Sequence, residues 1–483
     1  MDRGFLAIVD ADRIHEYIFA PHRLKMVRGG SALLRSLNHE HLLRELLEGG
    51  YGPGNLSQDL TPNDATTTDA GTFNWELVYA GGGNVYVLFR DRAAAEKYVS
   101  RAQWLFRKQS GTATATCIVT PHEGVFRATF EVGLALLNQR KTSAADPHSP
   151  LTSPYWKSCE ACGREPAAWL IDEPDDAQVL LCTACETRKK HSRQSPYLEK
   201  INGKLVPVQD LETLSAGSRP DGYLALVYVD VDSLGKYFDQ LEPFTVETYR
   251  ETSHKIRKTV ESAVIESCRH LPESLSDGTA APFEILLVGG DDALIILRPQ
   301  HVCRFLRCFR VSFRKHWREP KQRSGSSGRD LTFSAGIVFA HHHLPIAQFL
   351  QHAEELLRSA KDAGGGRADY MVVTEAMTSG LKARDARRTM RPYPLRDLLQ
   401  LWRTIGRWKM LGFPARRAHQ LYQAAYEEEH QGTLDYLYLL ARLEERHRRL
   451  AQQMFAQGLW ERTPRRATRA ADIAEIWDFV EET

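Results

Sequence analysis

The sequence predicts an α+β fold. A ferredoxin-like βαββαβ unit occurs twice, a four-cysteine module stands between the copies, and an all-α segment closes the chain. Three observations carry this expectation. First, an apolar strand ending in Asp-x-Asp occurs in "AIVDADRIHEY" and again in "VYVDVDSLGKY", and each is followed by helix and then a hairpin with glycines at its turn, "YAGGGNVYVL" and "LVGGDDALII". Second, two CxxC pairs lie between these stretches. Third, the C-terminal part shows helical patterning without strand patterns. The expected boundaries are 1–145 for the first unit, 150–205 for the cysteine module, 215–378 for the second unit and 379–483 for the helical segment.

The first unit opens with the strand Phe5 to Val9. A helix is expected over "GGSALLRSLNHEHLLRELLEGG", then a polar surface loop at 57–74 and a hairpin in "WELVYAGGGNVYVLF". A linker rich in Pro, Ser and Ala occupies 141–154. In the second unit the strand of "GYLALVYVDV" precedes a helix at about 245–271 and the Gly-Gly-Asp-Asp hairpin, and the loop 321–330 leads to the strand "LTFSAGIVFA". Ile346, Phe349, Leu350, Ala353, Leu356, Leu357 and Ala360 then recur at helical spacing, and a glycine stop and a strand follow.

Composition bounds the function. A chain of 483 residues is too long for one core. The formal net charge of +2 gives no whole-chain argument for nucleic acid, although the C-terminal part is far more basic than the rest. The N-terminus enters a strand pattern with charges at once, unlike a signal peptide, and no apolar stretch is long enough to span a bilayer, so a cytoplasmic protein without membrane contact is expected. Cys159, Cys162, Cys182 and Cys185 form CxxC-x19-CxxC, the spacing of a tetrahedral, structural Zn2+ site. Redox chemistry is the lesser alternative. Cys117, Cys268, Cys303 and Cys308 read as ordinary core or surface thiols, and His191 as a surface residue. The run His341, His342, His343 invites a metal reading, but it follows a strand, where neighbouring side chains point to opposite faces.

The carboxylates ask for an explanation. If the first strand and the hairpin of the second unit lie side by side, Asp230 and Asp232 come near Asp291 and Asp292. Such a cluster repels itself and is costly to bury, and a divalent cation with a taste for oxygen, Mg2+ or Mn2+, relieves it. Gly289 and Gly290 would leave room for a triphosphate to approach the backbone. A plain soluble hairpin turn is the alternative.

At these residues the second unit resembles the palm domains of nucleotide cyclases and polymerases, among them bacterial diguanylate cyclases. The whole chain resembles more closely the large subunit of type III CRISPR effector complexes. The matching stretches are "EYIFAPHRLKMVRGGSALL", "VYAGGGNVYVLF", "CEAC…CTAC", "YVDVDSLGKYF", "LLVGGDDALIIL" and "FSAGIVFAHHHLPI…AEELLRSAKDAG". The resemblance implies a cyclic oligoadenylate synthase acting on ATP when guide and target RNA pair, with metal held by Asp230, Asp291 and the Val231 carbonyl. It implies Asp292 as a second acidic residue supporting the metal or the attacking hydroxyl, and Lys361 on the triphosphate. In the first palm, Gly83 and Asn84 stand where the second has Asp291 and Asp292, so no catalysis is expected there. That palm would bind a second ATP, with Gly82 and Arg28 to Ser31 as plausible contacts, because a glycine turn before a helix exposes N–H groups; an N-cap role for Ser31 is the alternative. The resemblance also implies other effector subunits as partners, including a small helical one. Many family members carry an N-terminal HD nuclease; here the first palm begins at residue 5, so no associated DNase activity is expected. Arginines with Trp402, Trp408 and Tyr393 interleaved suit RNA backbone or an acidic protein surface, with a solvated helix face as the alternative. A catalytically silent scaffold, a diguanylate cyclase and a stand-alone defence nucleotide cyclase remain as rival readings.

Overall fold

The computed structural model describes residues 3–61, 73–143, 155–172, 178–193, 195–272, 278–318, 331–373, 389–427, 429–456, 460 and 467–481. Most of the polar stretch 57–74, most of the linker 141–154 and all of the loop 321–330 lie outside them. The chain divides into two compact units. One comprises Met1–Tyr197, Leu234–Glu261 and Leu286–Asp291, the other Leu198–Ser233, Ser262–Ile285 and Asp292–Thr483. None of the described helices is long and apolar enough to cross a membrane.

The first repeat runs β1 (Gly4–Ala11), α1 (Ile14–Ile18), α2 (Leu24–Ser36), a π-helical turn (Leu37–His41), α3 (Leu42–Glu48), β2 (Trp75–Gly81), β3 (Asn84–Phe89), α4 (Arg92–Ser110), β4 (Ala115–His122) and α5 (Phe126–Ser143). Its sheet has the order β2-β3-β1-β4 with antiparallel neighbours, the ferredoxin-like order expected. Gly82 and Gly83 close the β2–β3 hairpin at φ +57° and +88°, and a two-residue turn with both φ positive matches the right-handed twist of the strands. On one face Leu6, Ile8, Tyr86 and Leu88 pack on Phe126, Phe130 and Leu137 of α5 and on Tyr249. Each such side chain contributes about 1.5–3 kcal/mol by leaving water. Tyr249, Phe238, Phe244 and Val246 belong to the second repeat in sequence, so its segment Leu234–Glu261 completes the first unit's core.

The helix expected to start after Arg28, Gly29 and Gly30 starts earlier. These residues and Ser31 lie inside α2, whose N-cap is Arg23. The glycines serve packing instead of a turn. A Cβ on Gly29 would lie 1.9 Å from the Arg188 carbonyl oxygen, so only glycine lets that backbone approach. Their N–H groups sit in the helix interior, and neither the anion site nor the Ser31 cap exists in the form the sequence implied.

The cysteine module adds β5 (Trp169–Asp172), β6 (Gln178–Leu181) and α6 (Thr183–His191). Helices α7 (Pro196–Asn202) and α8 (Leu211–Ser215) lead to the second repeat: β7 (Tyr223–Val231), α9 (Leu234–Asp239), α10 (Val246–Arg269), β8 (Phe283–Val288), β9 (Asp292–Leu297), α11 (Val302–Trp317), β10 (Phe333–His341), α12 (Ile346–Asp362), β11 (Arg367–Val372) and β12 (Tyr393–Pro394). The sheet order is β12-β11-β10-β7-β9-β8. Its β10-β7-β9-β8 part repeats the ferredoxin-like order, and α12 returns the chain to place β11 parallel to β10.

The helical segment comprises α13 (Leu395–Met410), α14 (Ala415–Tyr426), α15 (Glu429–Arg442), α16 (Glu445–Met454) and α17 (Arg469–Ile476). The aromatics of this segment do not face RNA, contrary to the expectation from sequence. Trp402, Trp408 and Tyr393 are buried core residues, unable to stack on a base. Arg391 is buried too, paired with Asp472 at 3.0 Å and Glu475 at 2.7 Å. Part of the basic sequence, 381–388 and 464–466, lies outside the described residues.

Candidate active site

Strand β7 delivers the first carboxylate. Its residues alternate between faces, so Leu224, Leu226, Tyr228 and Asp230 share one side. Asp230 stands opposite Asp292, the first residue of the neighbouring antiparallel strand β9. Opposed residues in such a ladder have Cα atoms only about 4.5–5.5 Å apart, so two acidic residues are forced together by register alone. Each has a polar partner. Lys361, in the last turn of α12, places Nζ 2.5 Å from Asp230 Oδ1. The Tyr228 hydroxyl donates to Asp292 Oδ2 at 3.0 Å. Burial, followed by the charge of Asp292, raises the Tyr228 pKa above the ordinary phenol range, so it remains a proton-bearing donor. The sequence did not single out Tyr228; its place two residues before Asp230 on the same strand face was the available signal.

Asp232 has a different task. It is nearly buried and accepts hydrogen bonds from Thr332 Oγ1 at 2.7 Å, Ser334 Oγ at 2.6 Å and the Gly366 N–H at 2.7 Å. Three donors fix it as the post that ties the end of β7 to β10 and to the glycine stop after α12. Val231 is buried in the strand beside it, paired with Phe333.

Gly289, Gly290 and Asp291 form the loop between β8 and β9. In the first unit, a Cβ on Gly290 would lie 2.7 Å from the Tyr79 hydroxyl, and one on Gly82 would lie 3.2 Å from the Gly290 nitrogen. The glycine at 290 thus leaves space for Tyr79, and the turns containing Gly82 and Gly290 pack on each other.

The first repeat holds a counterpart. Asp10 stands opposite Asn84 across β1 and β3. Asp12 accepts from Thr114 Oγ1 at 3.0 Å and Thr116 Oγ1 at 2.7 Å. Lys141, near the end of α5, lies 2.8 Å from Asp10 and 3.8 Å from Asp12. Burial raises the Asp10 pKa, and the hydrogen bond and charge of Lys141 only partly oppose that. The Asn84 Oδ1 is buried without a hydrogen-bond partner. Lys141 carries no motif in sequence; only its position, near the end of the helix that follows the fourth strand, matches Lys361.

The four cysteines converge as expected, with their sulfurs within 4.8 Å of one another. Cys162 and Cys182 are 3.9 Å apart at sulfur, far longer than a disulfide and close to the edge, about 3.8 Å, of a tetrahedron with Zn–S bonds of about 2.3 Å. Cys182 caps α6 by accepting the Cys185 N–H. Hydrogen bonds from Cys162, then Cys182 and Cys185, hold the Cys159 pKa below the thiol range, whereas bonds with Cys159 push Cys182 and Cys185 above it. Four sulfur donors gathered this closely are the tetrahedral set that Zn2+ takes, so the donor set fits Zn2+. The buried Arg188 lies 3.4 Å from Cys185 Sγ, donates to the Tyr17 carbonyl at 2.8 Å and sits over the Tyr17 ring. It orients a thiolate and joins the module to α1, a role the sequence did not reveal.

The histidine run departs from the sequence argument. Strand β10 ends at His341, the chain turns, and the three imidazoles come together instead of alternating between faces.

Residues 223–370 match the family described as Cas10/Cmr2, second palm domain. Among solved structures, the fold resembles that of a Csm1–Csm4 cassette in complex with cA4, with TM-score 0.61 and 15% identity over 99% of this chain and 69% of that one. It also resembles the same kind of cassette in complex with one ATP, with TM-score 0.60 and 16% identity over 99% and 70%. Csm1 in T. onnurineus gives TM-score 0.61 and 17% identity over 99% and 70%. At these identities the likeness is one of fold. No curated protein matches the chain in sequence.

Proposed function

From the premise that residues 223–370 are a Cas10/Cmr2 second palm domain, we propose that this chain is the cyclic oligoadenylate synthase subunit of a type III CRISPR effector. The observation that carries the reading is the acidic pair Asp230 and Asp292, opposed across β7 and β9 and partnered by Lys361 and Tyr228. Asp230, Asp291 and Asp292, with the Val231 carbonyl, are hard oxygen donors suited to Mg2+ or Mn2+. A bound ion would polarise the α-phosphate and lower the pKa of an attacking ribose 3′-hydroxyl.

The chain's own residues do the rest. Lys361 neutralises Asp230 in the resting site and turns to the triphosphate when nucleotide arrives. Tyr228 fixes Asp292, which takes the hydroxyl proton. The 3′-oxygen bonds to the α-phosphorus, the bond to the bridging oxygen breaks, and pyrophosphate leaves with the electron pair. Gly289 gives the triphosphate access to the backbone at the β8–β9 turn, while the space at Gly290 is taken by Tyr79. The first palm has Asn84 in place of the second acid, and it holds an acceptor ATP without metal, with Gly82 among its contacts.

The solved relatives include complexes with Csm4, ATP and cA4, which supports ATP as substrate and effector subunits as partners here. Guide and target RNA would reach this chain through that assembly. The test uses the assembled complex with ATP, Mn2+ and target RNA, with products identified by mass spectrometry. The double variant Asp291→Ala, Asp292→Ala should make no cyclic product while its thermal unfolding stays unchanged. Unchanged synthesis overturns the site. A wild-type complex that makes no product points to the scaffold reading instead.

A further inference from the structure

Apart from the four cysteines, the described residues contain a second cluster of metal-type side chains, at the turn after β10, and the proposed reaction does not use it. The His342 N–H donates to the Gly222 carbonyl at 2.8 Å, and the Leu344 N–H donates to the His341 carbonyl at 2.9 Å. These bonds curl the chain so that the three rings lie with centroids 4.1, 4.4 and 4.7 Å apart and one ring nitrogen of each within 4.8 Å of the others.

Two of the rings are set by their surroundings. His341 lies over Gly222, where a Cβ would come within 2.3 Å of its Nε2, and it meets the Tyr223 ring edge-on at 5.6 Å. His342 Nδ1 is 3.1 Å from the Gly222 carbonyl oxygen and 3.4 Å from Ser215 Oγ. A ring that donates Nδ1–H to a carbonyl turns the Nε2 lone pair outward, the arrangement by which proteins hold a metal-binding imidazole in one tautomer. His343 is exposed. Metal–nitrogen bonds of about 2.0–2.1 Å in a tetrahedral site require nitrogens about 3.4 Å apart, so the cluster has at most about 1.4 Å left to close.

We propose that His341, His342 and His343 form a three-imidazole site for a borderline divalent metal such as Zn2+, Co2+ or Ni2+, with a remaining position open to water or an added ligand. Neutral nitrogen donors select this class over Mg2+ and Mn2+, so the site is chemically separate from the carboxylates. It is separate in space as well. Ser334 and His341 stand at opposite ends of β10, about 23 Å apart at the rise of a strand. The metal clips the turn that joins β10 to α12 and takes no part at the phosphates.

The test uses full-length protein without an affinity tag, stripped of metal and titrated with Co2+ in excess Mg2+ to fill the carboxylates. Two equivalents should bind. One gives the thiolate-to-cobalt charge-transfer band of the cysteines, and the other gives only weak ligand-field bands of nitrogen coordination. His342→Ala should weaken the second equivalent by about 10-fold or more and leave the charge-transfer band intact. His343→Gln, at an exposed position, should do the same without disturbing the fold. A single equivalent in wild type, or a second one unchanged in both variants, overturns the proposal. So does an affinity no tighter than that of a synthetic peptide spanning 339–346, because the turn would then add nothing to three adjacent histidines.

Discussion

The two repeats carry the same polar frame around different hairpins. In the first, Asp12 is held by Thr114 and Thr116, and Lys141 reaches Asp10. In the second, Asp232 is held by Thr332 and Ser334, and Lys361 reaches Asp230. Even the backbone repeats. The Asp12 N–H donates to the Thr114 carbonyl at 2.9 Å, and the Asp232 N–H donates to the Thr332 carbonyl at 2.8 Å. The difference is the residue across the ladder, Asn84 against Asp10 but Asp292 against Asp230. With asparagine there, one lysine bridging Asp10 and Asp12 comes close to balancing the site. With two acids in a row at the turn, one lysine leaves an excess of negative charge that calls for a cation. The duplicated scaffold holds the frame constant, and the hairpin sets how many carboxylates the frame must accommodate.

The largest expected effect breaks the comparison at that position. Asp292→Ala should lower synthesis by about 100-fold or more, the scale of losing a group that stabilises transition-state charge. Asn84→Ala should stay within about 3-fold, since it removes no charge; activity assays of the two complexes side by side decide it. Equal losses would mean that both hairpins are catalytic.

Next come the lysines. Lys361→Met should reduce turnover by roughly 10- to 100-fold through the triphosphate. Lys141→Met should leave turnover nearly intact and cost at most about 1 kcal/mol of stability, because its ion pair is partly exposed. Thermal unfolding and steady-state rates separate the two.

A third effect concerns bracing. Within the first unit, the first repeat leans on the cysteine module through Gly29 and Arg188, so Gly29→Val, with a Cβ 1.9 Å from a carbonyl oxygen, should destabilise that unit by about 3 kcal/mol. Zinc chelation should act on the same unfolding transition and leave that of the second unit in place, as differential scanning calorimetry would show. The smallest effect sharpens the comparison by conversion. Asn84→Asp with Lys141→Met should create a weak second Mn2+ site in the first repeat, detectable by electron paramagnetic resonance.

Much of this was legible in sequence where local chemistry and tertiary structure agree. The Asp-x-Asp strands, the glycine hairpins and the CxxC spacing each state a short-range demand, and the structure meets each of them. Other features depend on what packs from far along the chain. Gly29 and Gly30 read as a turn because glycine disfavours helix interiors, yet α2 runs through them so that a backbone distant in sequence can approach. Lys141 and Lys361 are ordinary helix lysines until the sheet brings Asp10 and Asp230 beneath them. Trp402 and Trp408 sat among arginines and read as contacts for RNA, although Leu395, Leu398, Leu399, Trp402 and Ile405 already follow the spacing of a buried helix stripe. Neighbouring side chains alternate between faces only while a strand runs on, and the end of β10 at His341 is fixed by hydrogen bonds to Gly222 and within the turn, not by the histidines themselves.

On the proposed function, a metal belongs to the hairpin of the second repeat and not to that of the first. A crystal of this protein grown with Mn2+ and a non-hydrolysable ATP analogue, measured at the manganese absorption edge, tests it most directly. An anomalous peak is expected beside Asp230 and Asp292 and none beside Asp10 and Asn84. A peak beside Asp10, or no peak at Asp230 with nucleotide bound, would contradict it.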